Sequence, residues 1–260
     1  MKRLIINADD FGLTQGVCRG IVEAINNGLV SSCTAMVCMP GAPERIARWA
    51  PHIEGKIGLH LQLTGDCQPC LPPEEIASLV TPAGRFPRRP EHVQADPEQV
   101  AKEWRAQLGR LRDLGVEPNH LDSHHHIHQR AEYVAVYADL AEEVGVPVRN
   151  QKRRLAHMLE ARGVAHPATC VTDWFGANTN LEGLITCLKA AYQKTGADQL
   201  VELMCHPGYA DQELETISTY TSQRESELCV LISKEAETAL QEMNAQVVDW
   251  SDPTKFAHSA

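Results

Sequence analysis

Short apolar segments typical of buried strands alternate with helical patterns along almost the whole chain, and this alternation restricts the fold more than any other feature. In the helical pattern over residues 96–114, for example, Trp104 and Leu108 lie about one turn apart among charged residues. The predicted strands are residues 4–8, 32–39, 57–63, 120–123, 146–149, 170–174, 200–205 and 246–250. The predicted helices are residues 16–27, 42–50, 96–114, 133–144, 155–162, 181–194 and 222–243.

A strand followed by a helix, repeated about seven or eight times, predicts parallel strands joined by crossover helices. We therefore expect an α/β fold. For 260 residues, a (β/α) barrel of about seven or eight mostly parallel strands fits the length better than an open doubly wound sheet. The Gly-x-Gly-x-x-Gly fingerprint of dinucleotide folds does not follow the first strand. No domain boundary is evident, so we expect residues 1–260 to form a single domain.

The charge balance and the apolar segments argue against several kinds of partner. The formal net charge is −10 and the chain has no long basic run, so we expect neither nucleic acid nor an anionic membrane as a main partner. No stretch of about 18 apolar residues exists, which argues against stable membrane insertion. The apolar run at the N-terminus stops at Asn7, too early for a signal peptide, and we expect a cytoplasmic protein.

The nine cysteines are an odd number scattered through apolar segments, which favours reduced thiols that pack as small apolar side chains. Cys67 and Cys70 form a C-x-x-C pair, but a zinc ribbon needs a second such pair and the sequence has none. They lie in a long proline-rich loop over residues 65–97, so we assign this pair no metal or redox role.

Five histidines occur between His120 and His128, and other polar residues stand where further predicted strands end. Asp9 and Asp10 follow the first strand, and His60 lies late in the third. In a (β/α) barrel the carboxyl ends of the strands form the active-site face, so we expect these side chains to converge. Two histidines and one carboxylate leave open positions on a metal ion for water and substrate. The sequence therefore predicts a metal-dependent hydrolase.

Asp9 and Asp10 can serve one site only where the strand turns into its loop, because neighbouring residues of a strand face opposite ways. Gly12 permits such a turn. One acid would bind the metal and the other would act as a general base, and the residues alone do not assign these duties. His60 stands among apolar residues, where a histidine is often a core residue, but its place on a neighbouring strand supports coordination.

Strand alternation places His124 and His126 on one face and His125 on the other, so only one or two of them can bind one metal ion. Asp122 lies two residues before His124 and is suited to orient a histidine ligand by binding its other ring nitrogen.

His206, Arg149 and Asp173 end three further predicted strands. His206 stands in a Pro-Gly turn, where it is placed to donate a proton to a leaving group, and packing in the turn is the alternative. Arg149 could stabilise an oxyanion or hold a substrate carbonyl, with a surface salt bridge as the alternative.

Four motifs occur in order along nearly the whole chain: Asn7-Ala-Asp-Asp-Phe-Gly12, Gly58-Leu-His60, His120-Leu-Asp-Ser-His-His-His126 and Glu202-Leu-Met-Cys-His-Pro-Gly208. Together they resemble the motifs of the YdjC-like carbohydrate deacetylases, which include chitooligosaccharide deacetylases. Residues 1–14 and the segments Leu71-Pro-Pro, Ser78-Leu-Val and Gly84-Arg-Phe are most similar to the hopanoid-biosynthesis-associated branch.

The resemblance implies an irregular (β/α) barrel and a divalent metal ion, magnesium or zinc, bound by Asp10, His60 and His124. It also implies that Asp9 is the base and His206 the proton donor. The implied reaction removes acetyl from an N-acetylated amino sugar, and the branch resemblance implies a lipid-linked sugar such as a glycosylated hopanoid. One departure from the family pattern is Cys18, where relatives often carry Asn, and we expect it to affect substrate contacts rather than the metal.

Other functions fit the same residues and stay open. They are a general chitooligosaccharide deacetylase, another metal-dependent hydrolase such as a phosphoesterase, a non-haem iron oxygenase, and a non-enzymatic metal-binding protein. The lack of a basic cluster beside the motifs argues against a phosphate substrate. Whether the chain forms a homodimer also stays open.

Overall fold

The structure, a computed structural model, describes residues 1–251 and residue 256, and its centre is a curled parallel sheet. The strands are β1 (Lys2–Phe11), β2 (Ser32–Ala35), β3 (Ile57–Leu61), β4 (Leu121–Ser123), β5 (Thr169–Val171), β6 (Leu200–Cys205) and β7 (Ala245–Val247). Their order is β4-β3-β2-β1-β6-β5, with β7 paired to the start of β1, and every ladder is parallel. This arrangement confirms the predicted α/β fold with an irregular (β/α) barrel of mostly parallel strands.

β1 is the central strand and is buried along residues 4–11, because strands pair with both of its edges. A parallel sheet is covered on both faces, which is why its central strand is a nearly continuous apolar run. The buried polar exceptions, Asn7, Asp9 and Asp10, stand at its carboxyl half. They are therefore the first indication of a functional face.

The helices found among the described residues are α1 (Gln15–Asn27), α2 (Ala42–Trp49), α3 (Pro97–Asp113), α4 (Val134–Val144), α5 (Arg153–Ala161), α6 (Leu181–Thr195), α7 (Gln212–Ile217), α8 (Ser222–Leu231) and α9 (Lys234–Glu242). The prediction of one helix over residues 222–243 is wrong. The chain instead forms two helices, α8 and α9. Ser233 is the N-cap of α9, because its hydroxyl accepts a hydrogen bond from Ala236 N at 3.2 Å.

Most predicted strands have different bounds in the structure: those over residues 57–63 and 170–174 end at Leu61 and Val171, and three others also differ. Residues 146–149 form only an isolated bridge, in which Val148 pairs with Leu121, so they are not a strand of the sheet. The strand predicted over residues 32–39 ends at Ala35, and Cys38 N instead donates to the Gln62 side chain at 3.0 Å. Near the C-terminus, β7 lies slightly earlier than the predicted residues 246–250.

The long loop over residues 65–97 packs onto the barrel. Ile76, Leu79 and Phe86 are buried in the main core, and two short 3-10 helices, Pro73–Glu75 and Pro90–His92, interrupt the loop. Among the helices described, none is long and apolar enough to cross a membrane.

Candidate active site

Asp9 and Asp10 lie at the carboxyl end of β1, where the register with β2 shifts between Ala8 and Phe11. Asp10 has φ +70°, a left-handed conformation that aspartate tolerates better than most residues. A bulge of this kind redirects side chains that would otherwise alternate. Both carboxylates therefore lie in the same buried cluster of charged side chains, as the turn predicted from the sequence requires.

Asp10, His60 and His124 form the first candidate metal group. Each offers one ligand atom, and these three atoms lie within 4.8 Å of one another. Asp10 Oδ1 is 3.5 Å from His60 Nε2 and 3.3 Å from His124 Nδ1, and it is buried without a hydrogen-bond partner. A buried carboxylate oxygen facing two imidazole nitrogens needs a positive partner, and one carboxylate with two imidazoles is a common donor set for a divalent ion, so the group fits such an ion.

The orientation of His60 is fixed from behind by Asp122. His60 Nδ1 lies 2.6 Å from Asp122 Oδ1 and 3.1 Å from Thr34 Oγ1, and Thr34 also donates to Asp122 Oδ2 at 3.1 Å. These contacts turn Nε2 towards Asp10. Burial lowers the pKa of His60, but the charges of Asp122, Asp9 and Asp10 and the Asp122 hydrogen bond raise it to about 9 overall.

The strand alternation expected for the histidine run is wrong beyond Ser123. Residues His124–Gln129 form a 3-10 helix, and His125 and His126 both have φ +53°, so the side-chain directions of a strand do not apply. The other histidines contact separate partners: His125 Nδ1 with Thr64 Oγ1 at 2.9 Å, His126 Nδ1 with Gln151 Nε2 at 3.1 Å, His128 Nδ1 with Ser123 Oγ at 2.6 Å and His120 Nε2 with Asn7 Oδ1 at 2.9 Å.

Arg149 is completely buried, and each of its three guanidinium nitrogens contacts a carboxylate. Nη1 and Nη2 donate to Asp9 at 2.7 Å each, Nε donates to Glu202 at 2.7 Å, and Nη1 lies 2.8 Å from Asp122 Oδ2. Burial alone would raise the pKa of Asp9, but Arg149 lowers it well below its usual range. The surface salt bridge considered from the sequence is therefore wrong, and the contacts point Arg149 at Asp9 rather than at a substrate oxygen.

His206 directly follows β6 and is half-buried beside Asp9 and Asp10. Burial lowers the pKa of His206 to about 4, against the opposing charges of Asp10 and Asp9, so its ring is neutral at pH 7. Its backbone N–H donates to the Glu227 carboxylate, which also accepts a hydrogen bond from the Tyr220 hydroxyl. Asp173, which is also predicted to end a strand, is exposed and lies two residues beyond the end of β5.

Sequence reasoning missed Arg224 and Glu227, both on α8. Arg224 Nη2 donates to Asp10 Oδ2 at 2.6 Å, whereas His124 lies next to the other carboxylate oxygen, Oδ1. Both residues are buried. The signal in the sequence is weak, because charged residues in an amphipathic helix usually face solvent.

Cys38, Cys70 and Glu103 form another group of possible metal ligands, but their atoms already have partners. Glu103 accepts hydrogen bonds from Cys70 N at 2.9 Å and Leu71 N at 3.0 Å. Burial raises the pKa of the Cys38 thiol well above its usual value. Cys67, the other cysteine of the C-x-x-C pair, instead accepts from Gln62 Nε2 at 3.4 Å.

Cys18 is buried in α1, and its Sγ accepts a hydrogen bond from Gly12 N at 3.2 Å. Gly12 has φ +97°, and a Cβ there would lie 2.8 Å from the Met36 carbonyl oxygen. Cys18 therefore supports the turn that follows Asp10.

The chain is similar to known proteins along nearly its whole length. The family model for YdjC-like protein matches residues 3–242. A carbohydrate deacetylase of Geobacillus stearothermophilus is 37% identical over 250 residues, which cover 95% of this chain and 96% of that relative. A carbohydrate deacetylase of Vibrio vulnificus strain CMCP6 is 37% identical over 262 residues, which cover 96% of each chain.

Solved structures show the same likeness. The crystal structure of an Enterococcus faecalis V583 protein named for cellobiose-phosphate cleavage has a TM-score of 0.86 and 33% identity, with coverage of 96% of this chain and 97% of that one. A lactam utilization protein of Thermus thermophilus shares the fold at a TM-score of 0.51 and 16% identity, with coverage of 96% and 100%.

Proposed function

This chain belongs to the YdjC-like protein family, and we propose that it is a metal-dependent deacetylase that hydrolyses the N-acetyl group of an amino sugar. The observation that carries the proposal is the Asp10–His60–His124 group, with Asp9 and His206 beside it at the carboxyl ends of the strands. Relatives that match nearly the whole chain are named carbohydrate deacetylases. The products of the proposed reaction are acetate and a free amine.

Asp10, His60 and His124 are the proposed metal ligands. Imidazole nitrogens suit zinc and other transition metals, whereas magnesium prefers oxygen ligands, so the donor set favours an ion of the zinc class over magnesium. When bound there, a divalent ion lowers the pKa of water towards neutrality and polarises a carbonyl oxygen.

Asp9 and His206 are the proposed proton-transfer residues. Arg149 keeps Asp9 as an anion, and that charge favours the protonated form of the nearby His206. His206 is neutral at pH 7, so the proton that it gives to the departing amine is one that it receives during the reaction: the proton that Asp9 takes from the attacking water passes on to His206. Asp9 is proposed as the base and as the charge that stabilises protonated His206.

Arg149 is proposed as a positioning residue rather than an oxyanion donor. Two parallel hydrogen bonds hold both oxygens of Asp9, and Asn7 Nδ2 donates a third to Asp9 at 3.0 Å. Groups held this way keep their place while charge moves during the reaction.

We extend the proposal to a lipid-linked sugar, such as a glycosylated hopanoid, on the resemblance of the N-terminus and of residues 71–86 to that branch. The loop over residues 65–97 gives this extension little physical support, because Ile76, Leu79 and Phe86 face the core. A free chitooligosaccharide is the alternative acceptor, and relative kcat/KM on the two substrates decides between them.

The experiment is acetate release from diacetylchitobiose, with and without chelator, followed by add-back of zinc or magnesium. We expect chelation to abolish release and zinc to restore it. His206→Ala should retain metal yet lose about 10²–10⁴-fold in turnover of the amide. The turnover of an activated acetyl ester by His206→Ala should fall much less, because the leaving group of the ester needs no proton.

Two results would contradict the proposal. Acetate release that is insensitive to chelator would remove the metal-dependent mechanism. Oxygen uptake without acetate release would favour an iron oxygenase on the same ligands.

A further inference from the structure

Phe175 is an exposed aromatic residue beside the candidate active site. Its side chain is 46% exposed, whereas large apolar side chains in the described part of the chain are mostly buried. Its ring centroid lies 5.6 Å from that of His206, with the two planes at 72°. A single exposed apolar side chain is common on protein surfaces, so the informative observation is the position of this ring next to the proposed proton donor.

The ring of Phe175 is held in place from one side. It stacks on Tyr220 with centroids 4.2 Å apart and planes at 6°, and Gly176 N donates to the Tyr220 hydroxyl at 3.3 Å. Trp174, the preceding residue, is buried, and its indole N–H donates to the Asn180 carbonyl at 3.0 Å. One face of the Phe175 ring therefore packs against Tyr220, and the solvent-exposed surface of Phe175 is the remainder of the ring.

The same carboxylate connects this aromatic pair to the candidate site. Glu227 accepts one hydrogen bond from the Tyr220 hydroxyl and another from the backbone N–H of His206. The ring on which Phe175 stacks and the backbone of His206 are thus fixed to one buried group. A ligand lying on Phe175 would be held at a defined distance from His206.

We propose that Phe175 is a stacking surface for the pyranose ring that carries the acetamide group, and so determines specificity for a sugar. This inference rests on the proposed deacetylase function. A pyranose has an apolar face of C–H groups and a polar rim, which suits one rigid aromatic ring among polar neighbours. The polar neighbours of Phe175, His206 and the Tyr220 hydroxyl, match that rim better than they match a hydrocarbon chain.

Binding of chitosan disaccharide, a free amino sugar that cannot be deacetylated, tests the inference without turnover. Calorimetry on the metal-loaded protein should show about tenfold weaker binding for Phe175→Ala, while Phe175→Trp binds at least as tightly as wild type. Ile217→Ala is the control, because Ile217 is also exposed, at 39%, and should leave binding unchanged. Equal affinity of wild type and Phe175→Ala, or no binding by wild type, would overturn the inference.

Turnover separates stacking from support of His206. On diacetylchitobiose, Phe175→Ala should raise KM about tenfold with little change in kcat. On N-methylacetamide, an amide without a sugar ring whose leaving amine also needs a proton from His206, it should change neither constant. Equal losses on both donors would mean that Phe175 positions His206, which overturns the inference and leaves the proposed function intact. Absence of acetate release by wild type from both donors and from a lipid-linked N-acetyl amino sugar would instead contradict the proposed function, whatever the disaccharide binding shows.

Discussion

Arg149 donates two parallel hydrogen bonds of 2.7 Å to Asp9, one to each carboxylate oxygen, and both residues are buried. A bidentate pair of this kind fixes direction as well as charge. The guanidinium also contacts Asp122 and Glu202, so one cation neutralises part of the charge of three buried carboxylates. Stability and the placement of Asp9 therefore depend on the same side chain.

Replacing Arg149 by Met should destabilise the protein by about 3–5 kcal/mol, because three buried carboxylates lose their cation. Urea unfolding measures this loss. Arg112→Met is the matched control: Arg112 pairs with Glu117 at 2.6 Å on the surface, and its loss should cost about 1 kcal/mol or less. Arg149→Lys keeps the charge but not the two parallel bonds, so it should recover stability more than activity. Equal recovery of both would argue against the positioning role.

The proposed ligand set predicts which histidines control metal content. His124→Ala should remove the bound metal, because it deletes one of three ligands, whereas His125→Ala should retain it, because His125 Nδ1 is occupied by Thr64. Asp122→Asn should keep the ligands but weaken metal affinity about 10–100-fold through His60. Elemental analysis and metal titration check these expectations. A His125→Ala protein without metal would contradict the ligand set.

The fold was predictable from the sequence because strand and helix periods repeat regularly, and Asp9, Asp10, His60 and Asp122 stand at strand ends where a barrel gathers its polar residues. The conformation of His125 and His126 was not predictable, because alternation holds only while the chain stays extended. Arg224 was missed for a different reason. It reaches Asp10 from a helix 214 residues further along the chain, and no local pattern encodes such a pairing.

Glu227 should make stability fall as pH rises. Burial raises its pKa to about 7 from an ordinary value of 4.5, against the opposing hydrogen bonds of Tyr220 and His206. The folded state therefore binds more protons than the unfolded state between these two values, and stability declines from about pH 4.5 to about pH 7. Glu202, whose pKa burial also raises to about 7, contributes in the same direction.

In Glu227→Gln, the loss of unfolding free energy between pH 5 and pH 8 should be smaller than in wild type by up to about 3 kcal/mol, because a neutral amide has no proton to lose. The control is Glu242→Gln, which changes an exposed carboxylate at the end of α9. Unfolding free energies at both pH values measure the difference. Identical pH dependence in Glu227→Gln and wild type would show that the buried carboxylate is not the titrating group.

Gly20 in α1 allows the helix to approach the turn that carries His206. A Cβ at Gly20 would lie 2.5 Å from Gly208 Cα, closer than real Cβ atoms come to other heavy atoms. The nearest atoms all belong to the Gly208 backbone, so no flexible side chain can move aside to make room. Gly20→Ala should therefore destabilise the protein by about 1–3 kcal/mol despite the better helix propensity of alanine, and it should lower amide turnover by displacing the turn.

Gly109 in α3 is the matched control, because a Cβ there meets nothing within 4 Å. Gly109→Ala should stabilise by about 0.5–1 kcal/mol and leave turnover unchanged. Urea unfolding tests whether the stability of the two variants changes in opposite directions, and acetate release tests whether only Gly20→Ala loses turnover. A Gly20→Ala protein as stable and active as wild type would mean that α1 can move away from the turn without disturbing His206.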